Sequence, residues 1–458
     1  MSAHAGTAPR LSLPICNHQP QPYDGPSKQT VLAWRQQYLT PGLITYYREP
    51  LMLVEGHLQY VWDETGKRYL DGFAGIVTIS VGHCHPAVVE RVREQVGRLQ
   101  HTTTIYLHPT IGALGKRLAE HMPADSGLTV SYFTNSGSEA NELAILTARE
   151  FTGNTDVISL RNGYHGGTQG AMALTAVGTW KFKANPSVGV KHATPGYCYR
   201  CPYGLQYPGC DLKCARDVAA LIRHETSGEV ACFIGEPIQG VGGVVTPPPE
   251  YFQIVYDIVR RQGGVCIADE VQTGLGRTGS AFWGFENWGV VPDLVTMAKG
   301  LGNGVPLAAC VTRPELAGVM SRRLHFNTFG GNPVSVTQGL ATLETIDHEQ
   351  LMQNALGVGN HLRQRLLALQ ERQPWIGEVR GMGLMLGVEL VRDRHTREPA
   401  TAETGEVLEL ARDRGLLLGK AGLYGNVLRI KPPLCITQDD ADFLADCLDD
   451  VLGHLQRP

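Results

Sequence analysis

The chain has 458 residues, 43% of them hydrophobic and 18% charged, with 40 Lys plus Arg against 44 Asp plus Glu and a net charge of −4. That much apolar content excludes a disordered chain, and the balanced charge without a basic run argues against a nucleic-acid partner. No apolar stretch approaches the ~20 residues that cross a bilayer, and the 54 glycines lack the every-third period of collagen, as in chains whose backbone approaches a ligand closely.

Residues 1–45 read as an irregular, Pro-rich arm with no secretory pattern. Eleven cysteines in such a chain predict a reducing, cytoplasmic setting and mostly free thiols. Cys84, Cys232, Cys266 and Cys310 lie in apolar contexts and read as small buried hydrophobes. LMLVEGHLQYVWD and KRYLDGFAG, parted by Glu64-Thr65-Gly66, read as short strands. Pro86 opens a helix with Val88, Val89, Val92 and Val96 at helical spacing. Strands and helices then alternate: strand LTVSYF, helix SEANELAILTAREF, strands DVISL and VACFIGEP, helix YFQIVYDIVRRQ, strands VCIAD and DLVTMAK. Repeated βα units with apolar strands predict an α/β fold with a mostly parallel sheet covered on both faces. Beyond residue 335 a helix-rich stretch, strands LMLGVEL, LLLG and VLRI, and a helix from Asp439 predict a smaller α+β domain. The expected division is an arm at 1–45, the first part of the small domain at 46–80, the large domain at 81–335 with a Cys-rich insertion at 195–215, and the rest of the small domain at 336–458.

The chemistry concentrates at two strand ends. VCIAD ends in Asp269, and Lys299 follows DLVTM. Ligands of parallel sheets bind at the carboxyl ends of strands, so both side chains are predicted to face one crevice. Singly, Asp269 reads as a helix cap and Lys299 as a loop residue. Together, with glycines behind them, they read as a site. Asn135-Ser136-Gly137-Ser138 joins a strand to a helix and suits a phosphate at a helix N-terminus, or simply caps the helix. Tyr164-His165-Gly166-Gly167 places an aromatic where it stacks on a ring or covers the core. Phe326 to Pro333 is a polar glycine-rich turn. Pyridoxal phosphate uses all of these parts: a lysine for its Schiff base, an acid for its pyridine nitrogen, a phosphate cradle and a ring clamp.

These residues resemble the class III aminotransferases of the fold-type I pyridoxal-phosphate superfamily. The likeness runs from about residue 40 to the C-terminus and is carried by Gly82-His83-Cys84-His85-Pro86, Asn135 to Glu142, Glu236-Pro237-Ile238-Gln239-Gly240, Asp269 to Gly274, Ala298-Lys299-Gly300, Thr328 to Pro333 and Arg380-Gly381-Met382-Gly383. Within the family it is similar to the alanine–glyoxylate branch. The resemblance implies a large domain with a seven-stranded sheet and a small domain built from both ends of the chain. It implies a Schiff base on Lys299, which also moves the substrate proton, and Asp269 on the pyridine nitrogen. Ser136, Gly137 and Ser138 would hold the phosphate, Tyr164 with His165 the ring, and Gln272 the ring hydroxyl. Thr328 would reach the phosphate site of a neighbouring subunit, which makes the protein a homodimer or a tetramer. Arg429 would grip the substrate carboxylate, with Glu236 as the partner that pairs with it in relatives. Ile76 stands where ornithine-using members carry tyrosine. The implied reaction moves an amino group from alanine or a similar amine to a 2-oxo acid such as glyoxylate or pyruvate. A lyase or racemase on the same scaffold is the alternative.

Cys198, Cys201, Cys210 and Cys214 form a CxxC and a CxxxC in the insertion. Four thiolates at that spacing fit a closed structural zinc site, and the plainer reading is a loop with free thiols or one redox-labile disulfide.

Overall fold

The structure, a computed structural model, describes residues 11–184 and 188–455. The first ten residues of the expected arm lie outside them. Seven strands form the central sheet: β1 (Val130–Thr134), β2 (Val157–Leu160), β3 (Val190–Ala193), β4 (Cys232–Gly235), β5 (Val265–Asp269), β6 (Leu294–Met297) and β7 (Ala308–Thr312). Their order is β1-β7-β6-β5-β4-β2-β3. Only β7 runs against its neighbours, β1 and β6.

Every residue of β2, β4, β5, β6 and β7 is buried. This is why these strands read as unbroken apolar runs rather than as alternations. Their side chains still divide by period two. Phe233 and Cys266 join one core cluster with Tyr256 of the helix Tyr251–Arg261. Cys232, Ile234 and Ile267 join the cluster on the opposite face with Ile145 of the helix Gly137–Thr152. Cys232, Cys266 and Cys310 are therefore core residues as expected, but Cys84 is exposed. It sits on a turn with left-handed backbone, φ 47°, which directs its thiol outward.

Two further sheets lie beside the central one. Leu53–His57, Tyr60–Asp63 and Arg68–Asp71 form a meander, and Leu416–Leu417 adds to it in parallel beside Arg68–Asp71. Ile376–Met382, Met385–Asp393, Val427–Ile430 and Gly419–Ala421 form the other. The helices Pro333–His348, Leu351–Arg372 and Gln438–His454 complete the C-terminal part.

Several elements were not read from sequence, among them the helices Pro109–Glu120, Lys213–Glu225 and Thr401–Asp413 and the three that follow. β7, with sequence AACVT, lacks the β-branched density that marks a strand. β3 is only partly buried and so lacks an unbroken apolar run. Inside the expected irregular arm, Lys28–Tyr38 is a helix capped by Ser27, and it has no buried residue to give it an apolar stripe.

Candidate active site

The carboxyl edge of the central sheet carries the chemistry. β5 ends at Asp269, and Lys299 follows β6 in left-handed backbone, φ 43°. A non-glycine residue held there stores strain of about 1–3 kcal/mol, which surrounding structure must impose. Both side chains line one cavity of about 170 Å³, together with Gly137, Ser138, Tyr164 and Gln272. The predicted convergence of Asp269 and Lys299 is therefore present in the fold.

Asp269 is held on both oxygens. Its Oδ1 accepts from the Val271 amide at 3.1 Å. Its Oδ2 accepts from Asn141 Nδ2 at 2.8 Å and is paired with His165 Nδ1 at 2.7 Å. Asn141 is positioned in turn by the Thr296 hydroxyl, which donates to its Oδ1 at 2.6 Å. Burial opposes protonation of His165, but the hydrogen bond and charge of Asp269 outweigh it and raise the imidazole above its ordinary range. Burial pushes the Lys299 ammonium down to about 8, and Arg429 acts in the same direction, against Asp269 and Glu236. Asn141 lies in a motif visible in the sequence, yet its role comes only from contacts across the sheet.

The other expected residues divide into those at the cavity and those away from it. Gly137, Ser138, Tyr164, His165, Glu236 and Gln272 line it. Ser136 does not: its hydroxyl caps the helix Gly137–Thr152 by accepting from the Glu139 amide at 3.2 Å. Thr328 lies on an exposed turn. Ile76 is 44% exposed, on a left-handed turn in which Ala74, Ile76 and Val77 have φ of 51°, 65° and 65°.

Arg429 is buried, and its Nε and Nη1 have no hydrogen-bond partner. Its guanidinium lies 4.6 Å from the centre of the Phe73 ring, and its Nη2 reaches the Tyr46 hydroxyl at 3.5 Å. Glu236 does not pair with it. The Glu236 oxygens accept instead from the backbone amides of Tyr164 at 3.0 Å and Gly240 at 2.8 Å. Burial, with Asp269 nearby, raises this carboxyl above its ordinary value although His165 opposes the shift.

The zinc expectation is not supported. Among the described residues, no group of three or more His, Cys, Asp or Glu is arranged to hold a metal ion. Cys198, Cys201, Cys210 and Cys214 are all free. Cys214 belongs to the first turn of the helix Lys213–Glu225 and packs against apolar core, whereas Cys198 is exposed. Burial, with the neighbouring cysteines of the cluster acting in the same direction, pushes both of these thiols up to about 11.

The cavity residues fit pyridoxal phosphate. A lysine and a carboxylate fixed by three donors share a cavity with the first turn of a helix, whose free amides suit a phosphate. The close fit is sharpest at Gly166, with φ 136°, where a side chain would collide with the Ser138 hydroxyl.

The model of the family described as aminotransferase class-III matches residues 45–452. An alanine–glyoxylate aminotransferase 2 homologue from Arabidopsis thaliana, named as mitochondrial, is 51% identical over 95% of this chain and 90% of its own. The structure of a phospholyase from Arthrobacter in complex with phosphoethanolamine has a TM-score of 0.86 at 36% identity, covering 93% of this chain and all of that one. An amine transaminase from an uncultivated Pseudomonas species, in its pyridoxal-phosphate-bound form, has a TM-score of 0.85 at 31% identity over 91% of this chain and 98% of its own. Likeness of this extent, on a sheet whose edge already presents the cofactor's partners, is common descent with a common chemistry: the chain belongs to the class-III aminotransferases and is a pyridoxal-phosphate-dependent transaminase of fold type I.

Proposed function

We propose that the enzyme transfers the amino group of alanine, or of a similar amine with one carboxylate such as β-alanine or 4-aminobutyrate, to a small 2-oxo acid such as glyoxylate or pyruvate. The observation that carries this reading is Arg429. A buried guanidinium with two unpartnered nitrogens is strongly unfavourable unless an anion completes it, and a carboxylate matches its fork with two parallel hydrogen bonds. The name of the Arabidopsis relative agrees with that donor and acceptor pair.

Pyridoxal phosphate supplies an aldehyde and an electron-accepting ring. Lys299 would hold the cofactor's aldehyde carbon through its amine and, when free, would be the base that takes and returns the proton of the substrate Cα. A lysine lowered to about 8 is suited to exchanging a proton near neutral pH. Asp269, its direction fixed by His165 and Asn141, would face the ring nitrogen. Gly137 and Ser138 would hold the phosphate with the helix amides, Ser136 would serve them by capping the helix, Tyr164 would cover the ring and Gln272 would face the ring oxygen. Glu236, held by two backbone amides, shapes the cavity wall, and Ile76 borders the substrate side.

The reading includes a homodimer or a pair of dimers. Leu107 and Leu324 are fully exposed, and Phe326 and Phe329 are 53% and 62% exposed around Thr328. Exposed apolar side chains of this kind suit an association surface. It would bring Thr328 to the neighbouring subunit's phosphate site. The domain division at about residues 45, 80 and 335 belongs to the same reading. So does a reducing compartment, which the free thiols favour; we place the protein in the cytoplasm, and fractionation of the source cells tests this against the mitochondrial location in the relative's name.

A single-turnover experiment tests the function. Alanine added to the loaded enzyme without acceptor should abolish the cofactor's aldehyde-form absorbance and yield about one pyruvate per site, with no further product until glyoxylate is added. Continued product release without acceptor would instead identify a lyase, the chemistry of the Arthrobacter neighbour. No reaction with any monocarboxylate amine would reject the donor assignment.

A further inference from the structure

Lys431 lies two residues beyond Arg429 and is completely buried. Its backbone amide donates to the Gly72 carbonyl at 2.8 Å, which ties it to the meander. Among the described residues, its amine has one hydrogen-bond partner, Gln272 Oε1, at 2.9 Å. Burial, and then the charges of Arg429 and Lys299, hold this ammonium well below the ordinary lysine range. A side chain with so long a reach and so little solvent serves packing poorly: a leucine would fill the space without desolvating an amine. The position calls for a different account.

Gln272 is gripped from a second side. A Cβ at Gly240 would collide with the Gln272 amide, so the glycine lets that amide lie flat against the backbone. The Gly240 amide in turn donates to Glu236. An unrestrained glutamine presents either its oxygen or its nitrogen to a cavity, because the two ends of the amide have the same shape. Here the oxygen is engaged by Lys431, and the NH2 group is left to face the cavity that Gln272 lines.

We propose that Lys431 is a positioning residue that fixes the Gln272 amide with its NH2 group toward the cofactor's ring oxygen. The proposal rests on the reading of Gln272 as the partner of that oxygen. It assigns a role to a lysine that touches neither cofactor nor substrate. It also accounts for the pairing of two segments far apart in the chain, since Gln272 and Lys431 are separated by 159 residues.

The test is a double-substitution cycle read by cofactor affinity and by the visible spectrum of the bound cofactor. Lys431→Met should raise the cofactor dissociation constant about tenfold and move the absorbance band, as expected for loss of one buried hydrogen bond. In a Gln272→Ala background, the same substitution should change the constant by less than about twofold, because the two side chains act as one unit. Equal effects in the two backgrounds, or no effect of Lys431→Met on either readout, would overturn the proposal and leave the role of Gln272 standing. An unchanged affinity and spectrum for Gln272→Ala alone would overturn the reading of Gln272 and the proposal with it. Should Lys431→Met not fold, Lys431→Leu is read by the same criteria.

Discussion

Lys299 bears the electrostatic consequences of its position. Burial in the cavity lowers it to about 8 from an ordinary lysine near 10.5. Imine formation needs the free amine, and that form grows as pH rises through the folded-state value. The rate at which cofactor-free enzyme takes up pyridoxal phosphate should therefore climb between about pH 7 and 9 with a midpoint near 8, followed by the growth of the visible band. A midpoint above 10 would show a solvent-exposed lysine. Asp269 and Lys299 were legible in the sequence because each ends an apolar run, and a charge in that place is unusual. Asn141 and Lys431 were not. An asparagine inside a helix and a lysine before two prolines both look solvated. Their roles come from partners 128 and 159 residues away, a distance no local pattern encodes.

At the scale of elements, the strands were readable where burial on both faces made them apolar throughout, and unreadable where composition was neutral, as in β7. The Cys-rich insertion shows another limit. Its cysteines suggested a metal, but its attachment rests on other residues. Tyr197 and Arg200 both bond Glu389, and Arg380 reaches the same carboxylate at 2.7 Å. Arg380 Nε also donates to the Gly243 carbonyl at 2.9 Å. The insertion, the loop after β4 and the C-terminal sheet thus share one buried ionic junction. Burial opposes the charge on Glu389, but Arg380 overcomes it and keeps the carboxyl below its ordinary value. Arg380→Ala leaves that carboxylate with a single cationic partner. It should destabilise the fold by about 3–5 kcal/mol, the usual result of removing one side of a buried pair. Denaturant melts of the variant should show a lower midpoint at unchanged slope. A midpoint equal to that of the parent would mean Arg200 alone suffices.

At the scale of the whole molecule, the exposed apolar residues around the 324–329 turn carry the argument for association. Leu107→Asp combined with Leu324→Asp places charges at two fully exposed apolar positions and should shift sedimentation to the single-chain species. Activity should fall with it, because Thr328 would no longer meet a second phosphate site. A monomeric variant with parental turnover would place a complete site within one chain. An association surface is hard to see in sequence, since an exposed leucine and a core leucine differ only in their surroundings.

The pairing of Leu416–Leu417 with Arg68–Asp71 also sets a timetable. Arg48 waits for Glu409, 361 residues later, before its backbone amide is satisfied. At ribosomal speeds of ~5–20 residues per second, that delay is some tens of seconds. The helix start at Gly137, Asp269 and Lys299 all emerge well before Arg429 and Lys431. The nascent protein can thus bring the first three together before the proposed carboxylate anchor, Arg429, and the lysine that engages Gln272 exist.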